Sequence, residues 1–325
     1  MFEIKRYTPD LATEWNQFVA TAKNGTFLFD RNYMDYHADR FTDFSLMIYR
    51  RGKLYALLPG NVDGDTFYSH QGLTYGGLLM NGKATAADVV EIFKLLAEKW
   101  RSMGLKKVVY KPVPWIYHEQ PSEEDLYAIV EVFDVRITRS LSTTISREQP
   151  NTWYRIRKSG AEKALQAGVV IEETEDYQPF WKILSANLQE RYSLKPVHTL
   201  DEIMLLHERF PEQIRLFVAK EDCETIGGCV LYLTNQVVHS QYIAANPRGR
   251  ELHALDGLFE QVISLSFCNH RFFDFGISTE NQGTYLNKQL IYQKEGFGGR
   301  GICYDWYKYS YLRKEQVLPR RCSAH

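Results

Sequence analysis

Hydrophobic positions recur along this chain in alternating strand and helix rhythms, and the order of those rhythms runs twice. In the first half, "FSLMIYRRGKLYALLPGNV" (44–62) reads as a hairpin turning at Arg51-Gly52-Lys53, and "DTFYSHQGLTYGGLL" (65–79) as a third strand. Thr85 then caps a helix with Asp88 at its third position, Val89, Ile92, Phe93 and Leu96 on one face, and Gly104 as its stop. The apolar strand "LKKVVYKPV" (105–113) follows. In the second half, Thr199 and Glu202 form a capping box ahead of Leu200, Ile203, Leu206 and Phe210. "IRLFVAK" (214–220) turns through Glu221-Asp222 into "TIGGCVLYLT" (225–234), and "QVVHSQYIAA" (236–245) supplies the next strand. A helix with Leu255, Leu258, Phe259, Val262 and Leu265 on one face leads into "RFFDFG" (271–276). Leu46 and Leu216, at matching points of the two halves, stand 170 residues apart.

A hairpin, a third strand, a helix and a further strand predict a mainly antiparallel sheet with a parallel pair at the helix crossover. The expected fold class is therefore α+β, built twice. The boundary falls near residue 150, in "SREQPN", giving domains 1–150 and 151–325. Just beyond it, "RIRKSGAEK" places Arg155, Arg157, Lys158 and Lys163 on a helix stopped by Gly168, either as a solvated basic face or as a phosphate contact.

Composition narrows the partners. The 325 residues suit two domains, and 44% hydrophobic with 14% aromatic content supports packed cores. With 39 Lys+Arg against 40 Asp+Glu the net charge is −1, so no global field draws in DNA or an anionic membrane. Glu3, Lys5, Arg6 and Asp10 stand where a signal peptide needs an apolar core, and no long apolar run follows; a cytoplasmic protein without membrane insertion is expected. Five cysteines without C-x-x-C spacing suggest neither a disulfide framework nor a zinc site, so buried reduced thiols and no metal are expected.

Three segments carry candidate chemistry. The loop "ANPRGRELHA" (245–254) offers Asn246, Arg248, Gly249 and Arg250 at a helix start suited to phosphate, although a plain surface loop looks similar. "FFDFG" sets Asp274 at a strand end before Gly276, as a base facing a crevice or as a cap for the turn at Ser278. The polar run that follows, with Ser278, Glu280 and Asn281, suits a polar ligand or a buried turn equally. On the preceding strand His239 and Gln241 share one face, His239 being a general base or a hydrogen-bonded core imidazole. Tyr304, within the aromatic run "GICYDWYKYSYL", is either core packing or a proton donor to a leaving thiolate.

"FDFG…STENQG…LN…QKEGFGGR", together with the repeated halves, resembles the tandem GNAT-fold proteins related to the Fem aminoacyl transferases, the FemAB-like or BioF2-like acyltransferases, most densely over residues 236–312. The resemblance implies a donor held where "QVVHSQYIAA" and "RFFDFG" splay apart, its pyrophosphate at Asn246, Arg248, Gly249 and Arg250, near Gly276. It implies Lys294 as the lysine of the family's F-K-x-x-F-G pattern, stabilising charge in the transfer step; Asp274 and His239, read from their own strand positions, are the other catalytic candidates. Gln241, Ser278, Glu280, Asn281 and Phe297 would contact substrate. Two features depart from the family pattern: Gln293 stands where the pattern has Phe, and the frame Arg250 to Leu255 lacks both glycines of the pyrophosphate loop. No long helical arm for tRNA is present in the pattern, which favours a small thioester donor such as acyl-CoA over a charged tRNA. The first half reads as having lost its donor site, and His70, Tyr75 and Tyr110 are its candidates for acceptor contact or are ordinary part-buried residues.

The function so implied is transfer of an acyl or aminoacyl group from a thioester to an amine of a sugar or peptide in envelope or polysaccharide building. The alternative is a non-catalytic binding protein holding a sugar nucleotide or peptide between two degenerate domains. Hydrolysis by Asp274 and Glu280 would need the two carboxylates roughly 5 to 10 Å apart across a substrate.

Overall fold

A computed structural model describes residues 1–150, 152–267 and 269–310; Asn151, Cys268, Cys322 and the last two residues of "GICYDWYKYSYL" lie outside them. The chain opens with β1 (Phe2–Arg6), α1 (Ala12–Thr21) and the single-turn α2 (Arg31–Met34), then β2 (Thr42–Asp43) and the hairpin β3 (Leu46–Arg50) and β4 (Lys53–Leu58). Arg50 pairs with Lys53, so the turn is Arg51-Gly52 alone, both at positive φ (51° and 73°), the conformation that matches strand twist. A second hairpin, β5 (Asn61–Asp63) and β6 (Thr66–Tyr68), is followed by β7 (Leu79–Met80).

The single strand expected over 65–79 is thus two short strands in different sheets. The chain leaves the first at His70, which has a φ of 74°. It then packs too closely for side chains: a Cβ on Gly76 would lie 1.7 Å from the Ser69 carbonyl oxygen. The helix begun by Thr85 is α3 (Ala86–Ser102), with the Thr85 hydroxyl accepting from the Asp88 amide, and β8 (Lys107–Tyr110), α4 (Glu124–Val132) and β9 (Arg136–Ser146) complete the half.

The second half runs α5 (Arg155–Gln166), β10 (Val170–Thr174), α6 (Tyr177–Tyr192), α7 (Leu200–Arg209), β11 (Ile214–Glu221), β12 (Glu224–Leu233) and β13 (Val237–Ala245). The capping box at Thr199 and Glu202 is formed. After α8 (Pro247–Glu251) and α9 (Ala254–Phe259) come β14 (Phe272–Ile277), the small ribbon β15 (Thr279–Glu280) and β16 (Tyr285–Leu286), α10 (Lys288–Glu295) and β17 (Arg300–Ser310). The uniform helix expected over Leu255 to Leu265 is broken. His253 takes φ 57°, and a π-helical stretch over Glu260–Ser266 shifts the phase, so Leu258, Phe259 and Val262 are buried while Leu265 is 63% exposed. The thiols also depart from expectation: Cys229 is buried, but Cys223 and Cys303 are exposed.

The fold is α+β and mainly antiparallel. A four-stranded sheet has the order β1-β3-β4-β7, and an eleven-stranded sheet the order β10-β11-β12-β13-β14-β9-β17-β8-β6-β5-β2. The parallel pairs are β13 with β14 and β6 with β8, each across a helical crossover. The halves exchange their last strands: β9 lies between β14 and β17, and β17 lies between β9 and β8. One apolar cluster likewise draws on both, uniting Trp15, Phe29 and Leu57 with Phe180, Val230 and Tyr232.

Candidate active site

The site is made by two strands that stop pairing. β13 and β14 are in register at Val237↔Phe272, Val238↔Phe273 and His239↔Asp274, and then part. Two local irregularities drive them apart. On β13, Val230 faces Tyr242 while Leu231 faces Ser240, so Gln241 is an extra, unpaired residue that bends the strand. On β14, Gly276 has a φ of 74°, and the pairing with β9 shifts between Asp274 and Ile277.

At the apex the Asp274 side chain is fully buried. Ser142 and Thr144 donate to Oδ1 at 2.5 and 2.7 Å, while His239 Nδ1 and the Tyr304 hydroxyl donate to Oδ2 at 2.8 Å each. Burial alone would raise the acid's pKa, but the bonds from His239, Ser142 and Thr144 outweigh it and hold the group below the usual carboxylate range. Asp274 is therefore a sealed anion whose accessible end is His239. With Nδ1 committed to Asp274, the neutral ring carries its lone pair on Nε2, which has no hydrogen-bond partner among the described residues. That is the arrangement of a general base held by a carboxylate.

His239 opens on a cleft of about 390 Å³ lined also by Thr74, Ser140, Gln241, Lys294 and Trp306. A second cleft, of about 370 Å³, lies farther along the splay and is lined by Arg157, Arg191, Gly249, Arg250 and Phe297. Ile243, Phe275, Leu290 and Lys294 belong to both, so the clefts meet at the apex. A larger cavity of about 970 Å³ between α5, β10 and the π-helical stretch contains no part of the dyad; volume alone does not locate the chemistry.

At the junction Lys294, on α10, donates from Nζ to the carbonyls of Gly276 (2.9 Å) and Ile277 (2.8 Å), leaving a third N–H. Burial lowers its pKa to about 8, against a smaller upward pull from Asp274. Asp274 does not reach solvent, and its link to the cleft runs through its hydrogen bond with His239.

The expected phosphate loop is placed differently. Asn246 caps α8 and spends its side chain on the Gly249 amide at 2.7 Å, and a Cβ on Gly249 would lie 2.2 Å from the Ile226 carbonyl oxygen, so this glycine serves packing. Arg248 is tied to Glu221 and Glu251 and does not line the second cleft. Arg250 does line it, anchored on the Ala245 carbonyl. Arg157 lines it as well, bridged to Asp256 at 2.7 Å and stacked 5.1 Å from the Phe297 ring centroid. Phe297 is itself buried in the floor.

Gln241 lines the first cleft. Ser278 is buried with its hydroxyl unpartnered among the described residues, while Glu280 accepts from Asn287 and Asn281 takes φ 51°; none of the three lines either cleft. With Asp274 sealed and Glu280 outside, the two-carboxylate hydrolysis arrangement is absent. Nor do His70, Tyr75 and Tyr110 reach the clefts. His70 is buried, Tyr75 bonds Thr26, and Tyr110 bonds Asp125 and the Leu78 amide. Ser142, Thr144, Thr74 and Arg191 were not anticipated. For the first two a signal existed: Ser140, Ser142 and Thr144 put hydroxyls at every second position of a strand, on one face.

Residues 147–284 match the family model described as the acetyltransferase (GNAT) domain. No curated protein matches the chain in sequence. Among solved structures, FemX superposes with a TM-score of 0.67 at 10% identity, covering 95% of this chain and 97% of that one. A conserved protein of unknown function from Bacteroides thetaiotaomicron VPI-5482 gives a TM-score of 0.62 at 10% identity, covering 95% and 100%. L-PGS from Bacillus licheniformis gives 0.58 at 13% identity, covering 97% and 95%. The likeness is one of fold, and it extends over both halves.

Proposed function

We propose that this chain, a FemAB-like tandem GNAT protein by fold with a GNAT domain match mostly in its second half, is an N-acyltransferase with one active centre at the β13–β14 apex. The observation that carries the reading is the His239–Asp274 pair at the wall of a cleft that joins a second, arginine-lined cleft. The first half, ending near residue 150, keeps no donor site of its own and lends β9 and the Thr74 loop.

In this reading the acceptor amine enters the first cleft and the thioester lies in the second, with its carbonyl at the junction. The amine nitrogen attacks the carbonyl carbon, and His239 Nε2 takes the proton it sheds. The C–S bond breaks as the amide forms, and the imidazolium returns its proton to the leaving thiolate, giving the free thiol and restoring neutral His239. The unpaired backbone at Gln241 and the third N–H of Lys294 stand where an oxyanion would need donors. Acyl-CoA suits the second cleft in part. Arg191 and Arg250 supply charge for a phosphate group, but Gly249 cannot cradle it, because its N–H is taken by Asn246. An amine on a sugar or peptide in envelope or polysaccharide building is the acceptor class we carry forward.

Calorimetric titration with acetyl-CoA and longer acyl-CoAs, followed by thiol release in the presence of amino sugars and peptides, tests this. Donor binding with release that His239→Asn abolishes is expected. Ligand binding with no release at all would instead support a non-catalytic binding protein.

A further inference from the structure

Two lysines beside the first cleft have no ion-pair partner among the described residues, and one of them is buried. Lys111 is 5% exposed, and its Nζ donates to the Leu73 carbonyl at 2.5 Å, next to cleft-lining Thr74. It lies 5.1 Å from the Trp306 ring centroid; Lys308, two residues along the same face of β17, lies 5.8 Å from that centroid and donates to Gln282. Neither forms an ion pair among the described residues, and Asp305, the carboxylate beside Trp306 in sequence, is held by Arg139 at 2.7 Å. Trp306 is 37% exposed and lines the cleft, whose lining includes Lys294 and no carboxylate. An ammonium buried without a counter-charge is costly, and burial lowers the pKa of Lys111 to about 8.

We propose that the acceptor carries an anionic group, a carboxylate or a phosphate, which enters beside Trp306 and is bound by Lys111 and Lys308. This rests on the first cleft being the acceptor's. The four-carbon stem of Lys111 lets its ammonium swing from Leu73 past Thr74 to the incoming anion, while Lys308 meets it at the rim. Specificity then comes from a charge some distance from the reacting amine, so neutral amines of the same shape are poor acceptors.

The test uses the full chain and two matched pairs of probes, glycylglycine against glycylglycinamide and glucosamine 6-phosphate against glucosamine, titrated calorimetrically at fixed ionic strength. In at least one pair the anionic member should bind about tenfold tighter or more; the pair that responds distinguishes carboxylate from phosphate. Lys111→Met should abolish the preference and Lys308→Gln should reduce it, the half-buried Lys308 at the rim serving if the Lys111 variant folds poorly. Equal binding within both pairs, no binding of any probe, or a preference that survives both substitutions overturns the proposal. The transfer reading fails separately: His239→Asn that leaves thiol release intact refutes it without touching the anion preference.

Discussion

Replacing Asp274 by Asn removes the charge of the dyad while keeping its shape. The carboxylate accepts from four groups, and the amide can replace only part of that. Its nitrogen fits toward Ser142 and Thr144, whose hydroxyls can rotate to accept, and its oxygen then keeps the bonds from His239 and Tyr304. The tautomer of His239 is therefore preserved, and what disappears is the anion facing the imidazolium formed when His239 takes the proton. Hydrogen bonds to charged groups are worth about 1.5–3 kcal/mol, and about 1.4 kcal/mol is tenfold in rate. A fall of roughly 10- to 100-fold in kcat is expected, with the donor dissociation constant unchanged. Thermal unfolding should register a loss of about 1–3 kcal/mol for the altered buried network. The assay is thiol release under saturating donor, with calorimetric donor binding in parallel. A variant whose kcat stays within twofold of the parent would refute the dyad, and one that loses donor affinity as much as turnover would place Asp274 in binding.

Three further outcomes follow from the same geometry. Lys294, with its pKa near 8, is an ammonium below that pH and neutral above it, so kcat should decline as pH rises through about 8; Lys294→Ala should lower turnover more than donor affinity and abolish this alkaline limb. His37, His70 and His198 are depressed by burial from 6.5 to about 4, 3 and 4. The unfolded chain thus binds their protons first, and stability present above pH 6.5 is lost as pH falls toward 4; His198→Gln should flatten the dependence of the unfolding midpoint on pH between 7 and 4.5. Gly276→Ala forces a side chain at φ 74° with its Cβ 3.2 Å from His239 Cε1, costing about 1–2 kcal/mol in backbone strain and pushing the imidazole out of line; unchanged turnover would count against the placement of His239.

Much of the frame was legible because local rules act over a few residues. Thr85 with Asp88 and Thr199 with Glu202 announce helix starts that the fold keeps, and Arg51-Gly52 announces a turn. Two misreadings mark places where the backbone departs from a local rhythm. The strand over 65–79 breaks where Gly76 must approach Ser69, and the helix through Leu265 slips at the π-helical stretch.

The candidate site was half legible. His239, Asp274, Gly276 and Lys294 stood out as chemically able residues in strand-end and turn settings. Which of them acts, and through which, was not written there. Ser142 and Thr144 lie well over a hundred residues before Asp274, and only the exchange of β9 into the second half's sheet brings their hydroxyls to its carboxylate.

By itself the sequence determined the repeated α+β frame, the near-neutral charge and a short catalogue of groups with catalytic capacity, since these depend on residue type and on periodicities of two to four. The tertiary structure alone decided that Asp274 is sealed behind His239, that Arg248 turns away while Arg157 and Arg250 line the cleft, and that Lys111 stands beside Trp306 with no ion-pair partner among the described residues. Those outcomes depend on which strands lie side by side and where two of them part, and register between distant segments leaves no local mark in the chain.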